Sequence, residues 1–443
     1  MENKRSHVVL GLGATGLSVV RYLCEQGITP LVMDSRHQPP GVDDLTRLFP
    51  DVELFTGGFD CRYLVQANQI IISPGIAVDT PEIRAAIDMG IEVIGDVELF
   101  ARELQGREPC VIGITGSNGK STVTCLVGEM AMAAGFNYAV GGNIGIPALD
   151  LLKDPKDLYI LELSSFQLET THSLNCISAT CLNISEDHMD RYTDLEAYRQ
   201  AKLSLYCQTK HALFNRDDEQ TKPNDPMNQN SFGLSIPCDD EWGIREGKIV
   251  HGASEIMSLQ DVALAGSHNH SNLLAAMALA YRAGVDKESM IQVAMTFTGL
   301  AHRCELVAVH NGVSYINDSK ATNVGATVAA LEGFDNHLGG IILIAGGDGK
   351  GADFLPLEKA LQGLSHLITL GKDGDKIASL YEGAIRVNSM SEAVKKAREL
   401  AETGDIVLMS PACASLDMYK NFMARGEDFR TEVNALGDEL FDA

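Results

Sequence analysis

The sequence predicts an α/β protein of three domains in series, and three observations predict it. Short apolar strands alternate with helix-patterned segments along the 443-residue chain, the arrangement of parallel sheets covered on both faces. Two strands run into glycine-rich loops that open helices, at Gly11 and at Gly116. Two later strands end in glycine-rich or polar loops, at Gly346 and at Ser410. The length exceeds one ordinary core, and the expected divisions are 1–95, 96–298 and 299–443.

The elements follow in order. His7 to Leu10 is an apolar run, Gly11 to Gly16 a glycine turn, and Leu17, Val20, Leu23 and Cys24 recur at helical spacing up to a stop at Gly27. Strands are expected at Pro30–Met33, ending on Asp34, and at Gln69–Ile72, ending on Ser73. A second unit opens with the buried strand Cys110–Thr115, followed by a loop and helix, and contains the strand Leu158–Leu161, ending on Glu162. The polar stretch 224–252 reads as hairpins or long loops at an edge, and Asn269 to Arg282 as a helix of small apolar residues. The third unit holds strands at Gly340–Ile344 and Asp405–Met409.

Composition narrows the function. Hydrophobic residues make up 45% and charged residues 21%, the balance of a well-packed soluble protein. A net charge of −25 excludes non-specific binding to nucleic acid, which requires basic surface. No long uncharged apolar run is present and the first residues lack a signal-peptide core, so a cytoplasmic protein without membrane insertion is expected. The ten cysteines are scattered singly from Cys24 to Cys413, as expected of reduced packing residues rather than disulfides or a zinc site.

The most specific motif is Thr115-Gly116-Ser117-Asn118-Gly119-Lys120-Ser121-Thr122, set between a strand and a helix. Successive N–H groups in such a loop cradle phosphate, the lysine reaches terminal phosphates, and the hydroxyl helps hold Mg²⁺. Ile114 stands where the usual pattern has its first glycine, so this is a variant loop with Gly116 making the turn. Gly11-x-Gly13-x-x-Gly16, with Asp34 after the next strand, matches a dinucleotide fingerprint. It suits NAD, a UDP-sugar, or a tight turn that binds nothing. Ser35 and Arg36 are placed to bond a base or ribose edge.

Glu162 closes a parallel strand on the ligand side of its sheet and is positioned to hold Mg²⁺ beside the phosphate loop, a solvated strand end being the alternative. His188, among acids, and Lys202, on a helix face, are equally compatible with ordinary surface roles. The runs Asn317–Asn323, Gly346–Lys350 and Ser410–Ser415 read either as ligand loops or as surface loops. Cys413 reads as a packing or loop cysteine.

Together, Thr115–Thr122, Glu162–Glu169, Glu186–Tyr192, Asn317–Asn323, Gly346–Lys350 and Ser410–Asp417 stand in the order found in the Mur ligases, which the chain resembles from its first glycine loop to Phe422. The resemblance implies an amino-terminal Rossmann-like domain for UDP, a central P-loop ATPase domain with a parallel or mixed sheet, and a carboxy-terminal Rossmann-like domain that brings the amino acid. It is nearest to the branch that adds D-glutamate to UDP-N-acetylmuramoyl-L-alanine; the Asp-Asn-Pro-Arg motif of the sister branch that adds diaminopimelate or lysine is absent. ATP and two Mg²⁺ sites are implied, in a monomer.

The resemblance also implies residue roles. Ala14, Thr15, Asp34, Ser35 and Arg36 would contact the uridine diphosphate end, and Ser73, Asn143 and Gln167 the substrate further along. Gly116 to Thr122 would hold ATP phosphate, with Lys120, His188 and Lys202 catalytic. Ser121, Glu162, His188 and a carbamylated Lys202 would serve the magnesium sites. Asn269, Asn272, Arg303, Asp318 and Lys320 would contact the nucleotide, and Thr322, Lys350, Ser415, Leu416 and Phe422 would form the D-glutamate pocket. A nicotinamide oxidoreductase, a folylpolyglutamate-type ligase and a nucleotide switch are the rival readings.

Overall fold

The computed structural model describes residues 7–107, 109–224, 228–264, 266–334 and 337–438. Three sheets organise the chain. The first is wholly parallel: β1 (His7–Leu10), β2 (Leu31–Asp34), β3 (Glu53–Thr56), β4 (Gln69–Ile72) and β5 (Glu92–Ile94), in the order β3-β2-β1-β4-β5. The order reverses between β1 and β4, so a crevice opens at their carboxyl ends, where α/β sheets receive ligands.

The second sheet has nine strands: β6 (Cys110–Thr115), β7 (Tyr138–Gly142), β8 (Leu158–Glu162), β9 (Ser178–Cys181), β10 (Ala212–Asn215), β11 (Gln229–Phe232), β12 (Trp242–Arg245), β13 (Lys248–His251) and β14 (Ser254–Ser258). Their order is β14-β13-β12-β11-β10-β9-β6-β8-β7. The last three pair antiparallel, so the polar stretch 224–252 does form edge hairpins where described, residues 225–227 lying outside the described set. β6 is an interior strand, flanked by β8 and β9, and is buried on both faces, as its run Val-Ile-Gly-Ile requires.

The third sheet contains β15 (Glu305–His310), β16 (Val313–Asn317), β17 (Ile341–Gly346), β18 (His366–Leu370), β19 (Ile385–Arg386) and β20 (Ile406–Met409), ordered β15-β16-β20-β17-β18-β19. Only β15 runs antiparallel to its neighbour. β20 lies between β16 and β17, so the loops leaving these three strands emerge side by side.

The contacts divide the chain into two compact units. The first two sheets belong to one, and one of its apolar cores runs from Val9, Leu12 and Val20 through Phe100 to Tyr159, Leu161 and Leu205. The third sheet, buried on both faces, belongs to the other, together with residues 184–195 and 260–272. No helix among the described residues is long and apolar enough to cross a membrane, and all ten cysteines are free.

Candidate active site

At the first sheet's crevice the glycine turn is closed by backbone and side chain together. Gly11 has φ +89°, a left-handed conformation that favours glycine. A Cβ on Gly16 would stand 1.8 Å from the Gly11 carbonyl oxygen, whereas one on Gly13 would meet nothing within 4 Å. Buried Asp34 braces the turn: one oxygen accepts from the Leu12 N–H at 2.7 Å, and both accept from Arg36. These bonds hold the Asp34 carboxyl below its usual range despite burial. Just beyond β4, the Ser73 hydroxyl donates to the Gly11 carbonyl at 3.2 Å. Ala14 and Thr15 begin the helix Ala14–Glu25, and Ser35 and Arg36 lie exposed just beyond β2. The turn, Ser73 and the residues after β2 are thus brought together at the switch point.

The second loop stands at the carboxyl end of β6. Gly116 and Gly119 have φ +145° and +81°, and the helix Lys120–Ala133 begins with Ser121 and Thr122 buried in its first turn. Lys120 Nζ donates to the Gly116 and Ser117 carbonyls at 2.8 and 3.0 Å, so the lysine lies back over its own loop. Asn183 clamps the loop from beyond β9, accepting from the Asn118 N–H at 2.8 Å and donating to the Asn118 carbonyl at 3.1 Å. Lys202, only 2% exposed, donates to the Gly116 carbonyl at 2.9 Å and lies 4.5 Å from the Tyr198 ring centre. Lys202 is therefore not a solvated helix-face lysine but part of this loop's support.

Glu162 ends β8 next to β6, in register with Ile114. Asn143 Nδ2 donates to its Oε1 at 2.7 Å, while its Oε2 is buried without a hydrogen-bond partner. An orphaned anionic oxygen beside a phosphate loop fits a hard cation. No group of three or more His, Cys, Asp or Glu side chains arranged for a metal occurs among the described residues. Magnesium that keeps water and phosphate ligands requires only one or two carboxylates. Gln167 is engaged locally, in a capping box with Ser164 at the start of a short helix.

The remaining residues of interest belong to the second unit. Asp187 gathers three groups: the His188 N–H at 2.9 Å, the Asn323 amide at 3.3 Å and Lys350 Nζ at 3.2 Å. His188 and Lys350 have φ of +59° and +53°. Buried Asp318 accepts from the Ser410 hydroxyl at 2.8 Å and from the Cys304 N–H at 3.2 Å, and burial pushes its carboxyl up to about 6. Lys320 Nζ stands 4.1 Å from the centre of the Phe422 ring. Thr322 precedes the helix Val324–Glu332; Ser415 is buried and Leu416 exposed in the loop after β20. Asn269, Asn272 and Arg303 group with this unit, as does His188, whereas Glu162 and Lys202 group with the first. Burial pushes the Cys413 thiol up to about 12, which leaves it a packing residue at neutral pH.

Sequence reasoning missed Asn183, Asp187 and Tyr198 as participants. Each acts on a loop distant in sequence; Asp187 lies inside the motif Glu186–Tyr192, but its reach to Asn323 and Lys350 is set by the fold.

Three family profiles match in succession: the Mur ligase MurD-like N-terminal domain over residues 5–95, the Mur ligase middle domain over 114–280, and the Mur ligase glutamate ligase domain over 302–413. A UDP-N-acetylmuramoylalanine–D-glutamate ligase of Shewanella violacea is 77% identical over 443 residues, covering 100% of this chain and 99% of that protein. The chain belongs to the Mur ligase family. A like-named ligase of Escherichia coli is 49% identical, over 97% of this chain and 98% of its own. Among solved structures, UDP-N-acetylmuramate–alanine ligase (MurC) of Thermotoga maritima has a TM-score of 0.62 at 18% identity, covering 97% of this chain and 100% of its own. MurF ligase of the same organism, in complex with ADP, has a TM-score of 0.60 at 15% identity, covering 98% and 100%. These distant structures share the three-domain α/β Mur ligase fold, with parallel and mixed sheets, found here.

Proposed function

We propose that this Mur ligase joins D-glutamate to UDP-N-acetylmuramoyl-L-alanine, with ATP converted to ADP and phosphate through an acyl-phosphate intermediate. The observation that carries the reading is full-length 77% identity to a ligase of that name. The phosphate loop at Gly116–Thr122 supports it chemically.

A carboxylate is a poor acyl donor because its leaving group would be oxide. Attack of the substrate carboxylate on the γ-phosphorus releases ADP and converts that oxygen into part of a phosphate leaving group. The amine of D-glutamate, having lost a proton, then attacks the carbonyl carbon, and phosphate departs. In this reading the loop N–H groups, Ser121 and Thr122 cradle the nucleotide phosphates, and Lys120 swings from its loop carbonyls to the transferring phosphoryl group. Asn143 holds Glu162 so that its second oxygen faces the cation site. Magnesium, when bound, neutralises phosphate charge; Ser121, Glu162, His188 and Lys202, if carbamylated, are the residues proposed to hold it at two sites.

Ala14, Thr15, Ser35 and Arg36 take the uridine diphosphate end, and Asp34 acts by bracing the turn and aiming Arg36. Ser73, Asn143 and Gln167 line the path of the muramoyl-alanine arm. Asn269, Asn272, Arg303, Asp318 and Lys320 contact the nucleotide. Thr322, Lys350, Ser415, Leu416 and Phe422 receive D-glutamate. The division of labour follows domains 1–95, 96–298 and 299–443. The enzyme works as a monomer in the cytoplasm, whose reducing state suits ten free cysteines.

The test is phosphate release from ATP and Mg²⁺ with UDP-N-acetylmuramoyl-L-alanine, comparing D-glutamate with L-glutamate, lysine and diaminopimelate. Release that requires D-glutamate is expected. Release with another amino acid instead, or with none, refutes the assignment.

A further inference from the structure

One buried cation in the third-sheet domain has no place in the roles above. Arg425, in the helix Phe422–Asp438, is 3% exposed and forms no ion pair among the described residues. Its guanidinium is held by neutral oxygens instead. Nε donates to the Ser319 hydroxyl at 3.0 Å, Nη2 to the Ser319 carbonyl at 2.8 Å, and Nη1 to the Cys413 carbonyl at 3.0 Å. A Cβ on Gly347 would lie 3.3 Å from Nη1, so the loop after β17 also closes on this group. The Ser319 hydroxyl in turn donates to the Phe422 carbonyl at 2.7 Å. Burial lowers the guanidinium to about 10, which still leaves it charged at neutral pH.

A buried charge without an ion-pair partner is costly, and a well-packed apolar side chain would often serve stability better. What the fork provides is geometry. Its planar donors bridge two loops at fixed separation, which a single ammonium cannot do. Ser319 stands between Asp318 and Lys320; Cys413 lies two residues before Ser415, and Phe422 three before Arg425. Asp318 has anchors independent of Arg425, at the Met409 carbonyl, the Ser410 hydroxyl and the Cys304 N–H. Among the described residues, no other side chain donates to the Cys413 carbonyl.

We propose that Arg425 is a positioning residue for the amine-transfer half of the reaction, holding the loop Ser410–Ser415 and the start of the last helix against the loop Asn317–Lys320 so that the amino-acid pocket is formed before the acyl phosphate is consumed. The proposal rests on the ligase reading given above.

The experiment compares Arg425→Met, Arg425→Lys and Ser319→Ala in the full chain. Two readouts are taken: KM values for D-glutamate and for UDP-N-acetylmuramoyl-L-alanine, and hydroxamate formation when hydroxylamine replaces D-glutamate. Hydroxylamine attacks the acyl phosphate directly and needs no amino-acid pocket. The KM for D-glutamate is expected to rise at least tenfold in both Arg425 variants and severalfold in Ser319→Ala. The UDP-substrate KM and the hydroxamate rate should stay within about twofold. A D-glutamate KM within twofold of the parent in all three overturns the proposal. So does a proportional loss of hydroxamate and D-glutamate turnover, which would mark a merely structural residue. If Arg425→Met does not fold, the other two variants decide on the same criteria. If the parent enzyme releases no phosphate in response to D-glutamate, the ligase reading fails instead.

Discussion

Replacing Gly16 by alanine pits two effects of known size against each other. Gly16 lies in the first turn of the helix Ala14–Glu25, where alanine would ordinarily favour the helix by about 1 kcal/mol. The added Cβ, however, would stand 1.8 Å from the Gly11 carbonyl oxygen and 2.9 Å from its carbon. Both are backbone atoms, so no rotamer change relieves the clash, and the turn must open by more than 1 Å. Overpacking of this kind costs about 1–3 kcal/mol, and contact with rigid backbone places it at the upper end. The steric term wins by about 1–2 kcal/mol, which for a domain of this size lowers Tm by roughly 2–8 °C. Because the Gly11 carbonyl also accepts from Ser73, UDP-substrate affinity falls about tenfold or more. Gly13→Ala is the internal control: its Cβ meets no protein atom, so Tm stays near the parent value while a ligand phosphate over the turn is obstructed. Thermal unfolding and calorimetric titration with the UDP substrate read both quantities. A Gly16→Ala protein as stable as the parent, with unchanged affinity, refutes the reasoning, as does equal destabilisation by Gly13→Ala.

Other outcomes follow from the same geometry. Lys120→Ala abolishes turnover while UDP-substrate binding, measured by calorimetry, stays within about threefold; loss of that binding in a folded variant would contradict separate sites. Glu162→Gln removes the anionic oxygen left without a partner; activity should fall at least 100-fold at low Mg²⁺ and recover partly as Mg²⁺ is raised, and a magnesium-independent loss would contradict the cation role. Asp96 is buried at the start of the helix Asp96–Glu103, and burial, only partly offset by the neighbouring backbone N–H groups and the Gln167 side chain, raises its carboxyl from 3.8 to about 6. Its folded pKa lies above its unfolded one, so the acid form stabilises below about pH 4 and that contribution disappears as pH rises through 6. At about 1.4 kcal/mol per unit this amounts to about 3 kcal/mol. The Tm advantage of Asp96→Asn should therefore grow between pH 4 and pH 7, and a constant difference across that range would refute the titration.

What the sequence by itself determined is what local chemistry controls. Apolar runs became β1, β4, β6, β8, β17 and β20 within a residue or two, because strand burial on both faces demands them. The glycines at 11, 116 and 119 were legible because their turns use positive φ. The motif order was enough to place the chain in its family. Tertiary structure alone decided which side chains complete each site. Asp34 was legible as the acidic residue after β2, but its reach to the Leu12 N–H across 22 residues was not, and Asn183 clamps Asn118 across 65. Asp187 meets Lys350 across 163, and Arg425 reaches Ser319 across 106. An Asn, Asp or Arg in such a place carries no periodicity and no backbone requirement. Its role exists only once sheet order has set the ends of particular strands side by side, which is why Lys202 reads as an ordinary helix-face lysine until the fold buries it against Gly116.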